Sequence, residues 1–244
     1  MDIWKAAFRV FNAAVRQAYG DRKKIVLFEI LAGEKAYKAQ GDWLPSECID
    51  KIKEYRLAVK GPLTTPVGGG IQSINVRLRQ ILDLYAFINP AKYIPGVPSP
   101  IKYPEKVDMI VFSENTENVY AGIECQQGSP EAASAIRFLK ESMGRTIRED
   151  SGIGIKPITI TCTKRLVRKA IQYAVEHNRS SVTLVHKGNI MKFIEGDFKD
   201  WGYELAMDEF LSKFITEEEL WETYKGQQPA GKMVIKDRIA DMIF

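Results

Sequence analysis

The chain has 244 residues, 45% of them hydrophobic and 27% charged, with a formal charge of +4 from 35 basic and 31 acidic residues. This is globular composition, enough for one large domain or two small ones, and the slight basic excess excludes a dedicated nucleic-acid binder. No apolar run approaches the roughly 20 residues of a membrane span, and the amphipathic start carries no signal-peptide core, so the expectation is a cytoplasmic protein with no membrane partner.

In chain order, Ile3, Ala7, Val10, Phe11, Ala14, Val15 and Ala18 recur at helical spacing, and Gly20 closes the run. "KIVLFEIL" (24–31) reads as a strand. "PSECIDKIKEY" reads as a short helix capped by Ser46, and "RLAVKG" as another strand. After a glycine loop, Ile71, Ile74, Leu78, Ile81 and Leu82 form a helical stripe. "LYAFINPAKYI" and "VDMIVFSEN" read as strands flanking a Pro-rich loop. "SPEAASAIRFLKESMG" (129–144) is a helix with clear start and stop signals. "GIGIKPITITCT" alternates and is β-branched, as in an antiparallel strand. Then come a helix in "TKRLVRKAIQYAVEHN", a buried strand in "SSVTLVHKG" and a helix in "FKDWGYELAMDEFLSKF". In "MVIKDRIADMIF", Ile235, Ile239, Met242 and Ile243 begin an apolar helical face. Alternating strands and helices define an α/β fold with a mainly parallel sheet. Cys48, Cys125 and Cys162 are isolated and odd in number, which reads as reduced thiols.

Chemistry is suggested in three places. "GPLTTPVGGGIQSINVRLRQ" (61–80) runs through three glycines into a helix. Its backbone can approach a ligand closely, and the helix start favours an anion. Ser73 and Asn75 lie in the first turn, and Arg79 lies four residues beyond Asn75 on one face. A plain strand–turn–helix with a capping serine fits the same residues. In "LVHKGNIMKF", a strand ends at His186 and Lys187, Gly188 and Asn189 form the following loop, the side on which α/β proteins bind ligands. Lys187 there can carry charge or move a proton, or be an ordinary surface lysine. In "SENTENVYAG", Tyr120 can donate a proton or be buried with its hydroxyl bonded.

Taken together, "KGPLTTPVGGGIQSINVRLRQ", "ENTENVYAGIE" and "LVHKGNIMKFIEGDFKDWGYELA" closely resemble the bacterial NADP-type isocitrate dehydrogenases, within the metal-dependent β-decarboxylating hydroxyacid dehydrogenases. The resemblance weakens only in "ITEEELWETYKGQQPAG". It implies an isocitrate/isopropylmalate dehydrogenase-like α/β fold: a partial large domain (1–84), a small domain (85–117 and 160–244) and a dimerisation clasp with β-structure (118–159). It implies oxidative decarboxylation of isocitrate, or a related hydroxy acid, to a 2-oxo acid with NADP (or NAD) and Mg or Mn. The protein partner is a second copy or a related subunit. By motif, Ser73, Asn75, Arg79 and Lys60 would bind substrate, and Thr64, Thr65 and Asn189 would lie by the nicotinamide. Tyr120 would give a proton to the enolate, and Lys187 would serve the partner's site. Ser73 matches a serine that some bacteria phosphorylate, where the new charge would repel the substrate's carboxylates.

Two positions depart from the pattern: Asn89 and Ser113 stand where the family has arginines that grip carboxylates. Bidentate Arg–carboxylate pairs are strong and neither replacement brings the charge, unless other cations such as Lys92 move in. The family's first strand would precede this chain, and its metal-binding aspartates and the loops that bind the adenine and phosphate of NADP would follow it. The chain thus reads as truncated at both ends, with no metal ligand of its own. The alternative is a catalytically silent or regulatory relative that pairs with an active subunit.

Overall fold

The chain divides after Asp83 in the computed structural model, which describes residues 2–63 and 73–243. The first unit (1–83) holds four helices among the described residues: α1 (Asp2–Tyr19), α2 (Glu34–Gln40), α3 (Ser46–Tyr55) and α4 (Ile74–Ile81). Cys48, Ile49 and Ile52 of α3 meet Ile74 and Leu78 of α4 at helical spacing, with Leu44, Trp43 and Leu63 closing the cluster. Tyr37 stacks on Trp43 with centroids 4.8 Å apart. Pro45, not Ser46, occupies the N-cap position of α3, and no side chain caps it. On α1, Trp4 gathers Phe8 and Phe11 at 6.4 and 6.1 Å, while Ile3 and Val10 stay exposed.

Neither 24–31 nor 56–61 is a strand here: both are chain without ladder partners among the described residues. Their apolar, β-branched content satisfies local preference, but a strand exists only where another pairs with it. The stripe expected from Ile71 to Leu82 is realised as α4, with Ile71 itself outside the described residues.

The second unit (84–244) contains β1 (Ala86–Lys92), β2 (Asp108–Glu114), β3 (Ile123–Cys125), α5 (Pro130–Met143), β4 (Ile153–Ile155), α6 (Ile160–Glu176), β5 (Ser181–His186), α7 (Asp197–Phe210), β6 (Phe214–Thr216), α8 (Glu217–Glu222) and β7 (Met233–Ile239). β5, β7 and β6 form a parallel sheet in that spatial order. β7 is central and its "MVI" start is buried, as a strand covered on both faces requires. Ile235, Leu184 and Phe214 pack there with Val167 and Ile171 of α6 and Leu205 and Ala206 of α7. Gly202 lets α7 sit against β5, since a Cβ there would lie 2.7 Å from Leu184. The apolar helical face expected over 235–243 is therefore a strand followed by one 3₁₀ turn, Ala240–Met242. Its residues are spaced as in a helix, but pairing with two neighbours decides the conformation.

β1 and β2 form an antiparallel pair across the Pro-rich loop, with Pro90 tolerated because the pair has free edges. β3 and β4 form a second, enclosing α5. α5 starts where Ser129 accepts from the Ala132 N–H and ends at left-handed Gly144. The long strand expected in "GIGIKPITITCT" shrinks to Ile153–Ile155. Pro157 interrupts it, and the Thr159 hydroxyl caps α6 by accepting from the Cys162 N–H. α8 opens with a reciprocal capping box between Thr216 and Glu219.

Candidate active-site elements

In the first unit, α4 presents its start to the segment that precedes it. Ser73 occupies the N-cap position, but its hydroxyl makes no capping hydrogen bond. Asn75 donates from Nδ2 to the Leu63 carbonyl at 3.3 Å, and its buried Oδ1 has no hydrogen-bond partner among the described residues. Arg79 lies one turn further along. The Lys60 ammonium donates to the Gly61 carbonyl at 3.3 Å. Partial desolvation, then the Arg79 guanidinium, push Lys60 below the usual lysine range. Thr64, Thr65 and the glycine loop lie outside the described residues.

In the second unit, Lys187 follows the carboxyl end of β5, and Asn189 is exposed on the same turn. The Lys187 N–H donates to Glu195 Oε2 at 3.0 Å, and its carbonyl accepts from the Ile190 and Met191 N–H groups, both at 3.1 Å. The Gly188 N–H donates to His186 Nδ1 at 3.0 Å. Because Nδ1 accepts, the neutral ring carries its proton on Nε2, which donates to Asp237 Oδ2 at 3.0 Å. The Tyr203 hydroxyl donates to Asp237 Oδ1 at 2.9 Å. Burial, then the Asp237 hydrogen bond, push the Tyr203 phenol well up. Burial also pushes the Asp237 carboxyl up, but hydrogen bonds from His186 and Tyr203 outweigh it and leave the group below the usual aspartate range. Gly188 is needed for contact: a Cβ would lie 2.9 Å from His186 Nδ1 and 3.0 Å from the Gly196 Cα. The Lys187 ammonium pairs with Asp241, which follows β7, and this hydrogen bond lowers the Asp241 pKa.

Tyr120 sits on a 3₁₀ turn, Asn118–Ala121, and is 37% exposed, so the fully buried alternative does not hold. The turn is tied to the entry of α6. Buried Glu117 accepts from the Thr159 N–H and hydroxyl, both at 2.9 Å, and the Asn118 N–H donates to the Pro157 carbonyl.

The β1–β2 register answers the question of the missing arginines. Asn89 faces Val111 and Ser113 faces Phe87, which places Asn89 and Ser113 diagonally on one face of the pair. Lys92 lies on the other face, opposite Asp108, with which it makes a 3.8 Å ion pair. Phe112 on that face meets Tyr173 of α6 edge-on. Lys92 therefore does not stand in for either arginine.

Substrate candidates Lys60, Ser73, Asn75 and Arg79 thus belong to one unit, and Tyr120, Lys187 and Asn189 to the other. The sequence reading missed His186, Asp237, Tyr203, Glu195 and Asp241 as supports of the Lys187 turn. The available signal was Asp237, a carboxylate in the charged run 236–238 that interrupts an apolar strand start. Among the described residues no three His, Cys, Asp or Glu side chains gather as a metal site. No described helix is long and apolar enough to cross a membrane.

A parallel sheet with helices packed on it and a lysine turn beyond the carboxyl end of β5 defines an α/β protein of the kind that binds ligands outside its strand ends. Residues 1–227 match the isocitrate/isopropylmalate dehydrogenase family, and the chain belongs to that family. It is 61% identical over 243 residues to "Isocitrate dehydrogenase [NADP]" of Archaeoglobus fulgidus, covering 100% of this chain and 58% of that protein. The like-named protein of Staphylococcus epidermidis is 56% identical over 260 residues, covering 99% of this chain and 61% of that one. The crystal structure of isocitrate dehydrogenase from Methylococcus capsulatus superposes with a TM-score of 0.69 at 31% identity, over 95% of this chain and 56% of that one. The chain spans about three-fifths of the length of the curated relatives it matches.

Proposed function

We propose that the protein acts as a cytoplasmic isocitrate dehydrogenase of the tricarboxylic acid cycle, using NADP and Mg or Mn. The observation that carries this reading is the 61% identity, along the whole chain, to a protein named for that activity. Ser73, Asn75 and Arg79 bind substrate carboxylates at the start of α4, with Lys60 beside them. Thr64, Thr65 and Asn189 lie by the nicotinamide. Oxidation of the hydroxyl-bearing carbon followed by loss of CO₂ leaves an enolate that needs one proton, and Tyr120, exposed on its turn, supplies it. Lys187, an ammonium paired with Asp241, carries protons to the site of a second subunit. Residues 118–159 form the clasp of that dimer, between small-domain segments 85–117 and 160–244; residues 1–84 belong to the large domain. Ser73, whose hydroxyl makes no capping bond, is the phosphorylation candidate. A phosphate there adds about −1.5 to −2 charge against an anionic substrate.

A second reading is favoured by one observation: the shared face of β1 and β2 carries Asn89 and Ser113 and neither expected cation. On that reading the chain is a silent or regulatory relative that assembles with an active subunit. Calorimetric titration with isocitrate and Mg, for wild type and the Asn89→Arg/Ser113→Arg variant, separates the two. The dehydrogenase reading expects measurable wild-type affinity, improved at least about a hundredfold in the variant, because each of the two added charge-assisted bonds is worth about 1.5–3 kcal/mol. Binding only by the variant favours the silent relative. Binding by neither shows that Ser73, Asn75 and Arg79 do not suffice for substrate binding in this chain, with or without the two arginines.

A further inference from the structure

The Lys187 turn is clamped by a carboxylate and an imidazole that take two successive N–H groups. Glu195 Oε2 takes the Lys187 N–H and His186 Nδ1 takes the Gly188 N–H, both at 3.0 Å. Each acceptor is itself held. Asp237 fixes the ring of His186 through Nε2. Lys156 holds Glu195 through the other carboxylate oxygen, Oε1. The Glu195 side chain is only 14% exposed and that of Lys156 28%, so this pair is shielded more than most surface ion pairs. Glu195 lies in a π-helical turn, Lys192–Gly196, whose closing Gly196 N–H donates to the Met191 carbonyl at 3.2 Å. Single π turns are rare in helices and are found frequently at functional sites. Lys156 directly follows β4, inside the 118–159 excursion, 39 residues before Glu195.

We infer that Glu195 is a positioning residue for Lys187, and that Lys156 anchors it, joining the β3–β4 excursion to the Lys187 turn. The ammonium of Lys187 can reach a substrate reproducibly only if its own backbone is fixed, and Glu195 fixes the peptide on its N-terminal side. A Lys156–Glu195 pair placed for stability alone would not need the second carboxylate oxygen to meet the Lys187 N–H. The catalytic consequence rests on the dehydrogenase reading above; the positioning does not.

The test is amide hydrogen exchange at Lys187 in the full chain, for wild type, Glu195→Ala, Glu195→Gln and Lys156→Ala. Glu195→Ala is expected to speed exchange at Lys187 at least about tenfold while the β5 amides of Val182 and Leu184 keep their rates, since a hydrogen bond to a charged acceptor is lost locally. Glu195→Gln keeps an acceptor oxygen and is expected to restore most of the protection. Lys156→Ala is expected to fall between. An unchanged Lys187 rate in Glu195→Ala, or equal acceleration throughout β5, overturns the inference. If Glu195→Ala does not fold, Lys156→Ala decides, and an unchanged Lys187 rate there overturns it equally. Isocitrate oxidation is measured separately: kcat is expected to fall in Glu195→Ala with KM unchanged. A wild type that does not oxidise isocitrate removes the functional reading and leaves the exchange result standing.

Discussion

A phenol held against a carboxylate resists ionisation, and Tyr203 is such a group. Its hydroxyl donates to Asp237, and burial and that bond push its pKa well above the ordinary value. A folded-state pKa above the unfolded one contributes stability that is fully present below about pH 10 and is lost as pH rises through the folded value. Asp237 behaves in the opposite sense. Its lowered pKa contributes stability above about pH 4 that is lost as pH falls through the folded value. Tyr203→Phe should therefore cost about 1.5 kcal/mol at neutral pH, the low end for a hydrogen bond to a charged group, because water can reach the partly exposed carboxylate. The gap between variant and wild type should shrink above about pH 10, where only the wild type has a phenol at position 203 to ionise in the unfolded chain. Urea unfolding across the alkaline range measures this, and a gap that stays constant there would count against the account.

At the scale of elements, β7 carries the second unit. It pairs with β5 on one side and β6 on the other, and Ile235 at its centre has no exposed surface. Ile235→Ala should cost about 2–5 kcal/mol in chemical denaturation, as truncations in packed cores do; a loss below about 1 kcal/mol would show the sheet is not packed as described. The same strand shows what the amino-acid order does not reveal. Ile235, Ile239 and Met242 recur at four- and three-residue intervals, so a local reading finds a helix, while the strand exists because two distant segments pair with it. The reverse error occurs at 24–31 and 56–61, where strand-like residues find no partner among the described residues. Elements with local punctuation were legible: Ser129 and Gly144 bracket α5, and His186 ends β5 before the Lys187 turn. The capping box of α8, Thr216 with Glu219, was equally local and was overlooked. The supports of Lys187 were not legible, because His186 and Asp237 are 51 positions apart and only the parallel register brings them together.

For the whole molecule, the question is what covers the 118–159 excursion. Its ladder has three residues per strand and one helix, too little to be stable alone in water. Its base is firmly held: Glu117 by Thr159, Asn118 by Pro157, and Thr116 by an Arg165 guanidinium at 2.7 Å. Beyond that base, Ile123, Phe138, Met143 and Ile155 are each about half exposed or more. Exposed apolar residues concentrated in one short excursion point to association, and a second copy of the same chain is the simplest complement, since a two-fold interface uses each residue twice. On that proposal, Phe138→Asp with Ile155→Asp removes four buried apolar side chains from the dimer. At about 1.5 kcal/mol each, the loss is roughly 6 kcal/mol, or about four orders of magnitude in the dissociation constant. Sedimentation equilibrium of the full chain should then show a dimer for wild type and a monomer for the double variant at the same concentration, with unchanged far-ultraviolet circular dichroism. A wild type that stays monomeric up to the highest soluble concentration would remove the excursion as a self-association surface. A double variant that still dimerises would move the interface elsewhere, with α1 and its exposed Ile3 and Val10 the next surface to test.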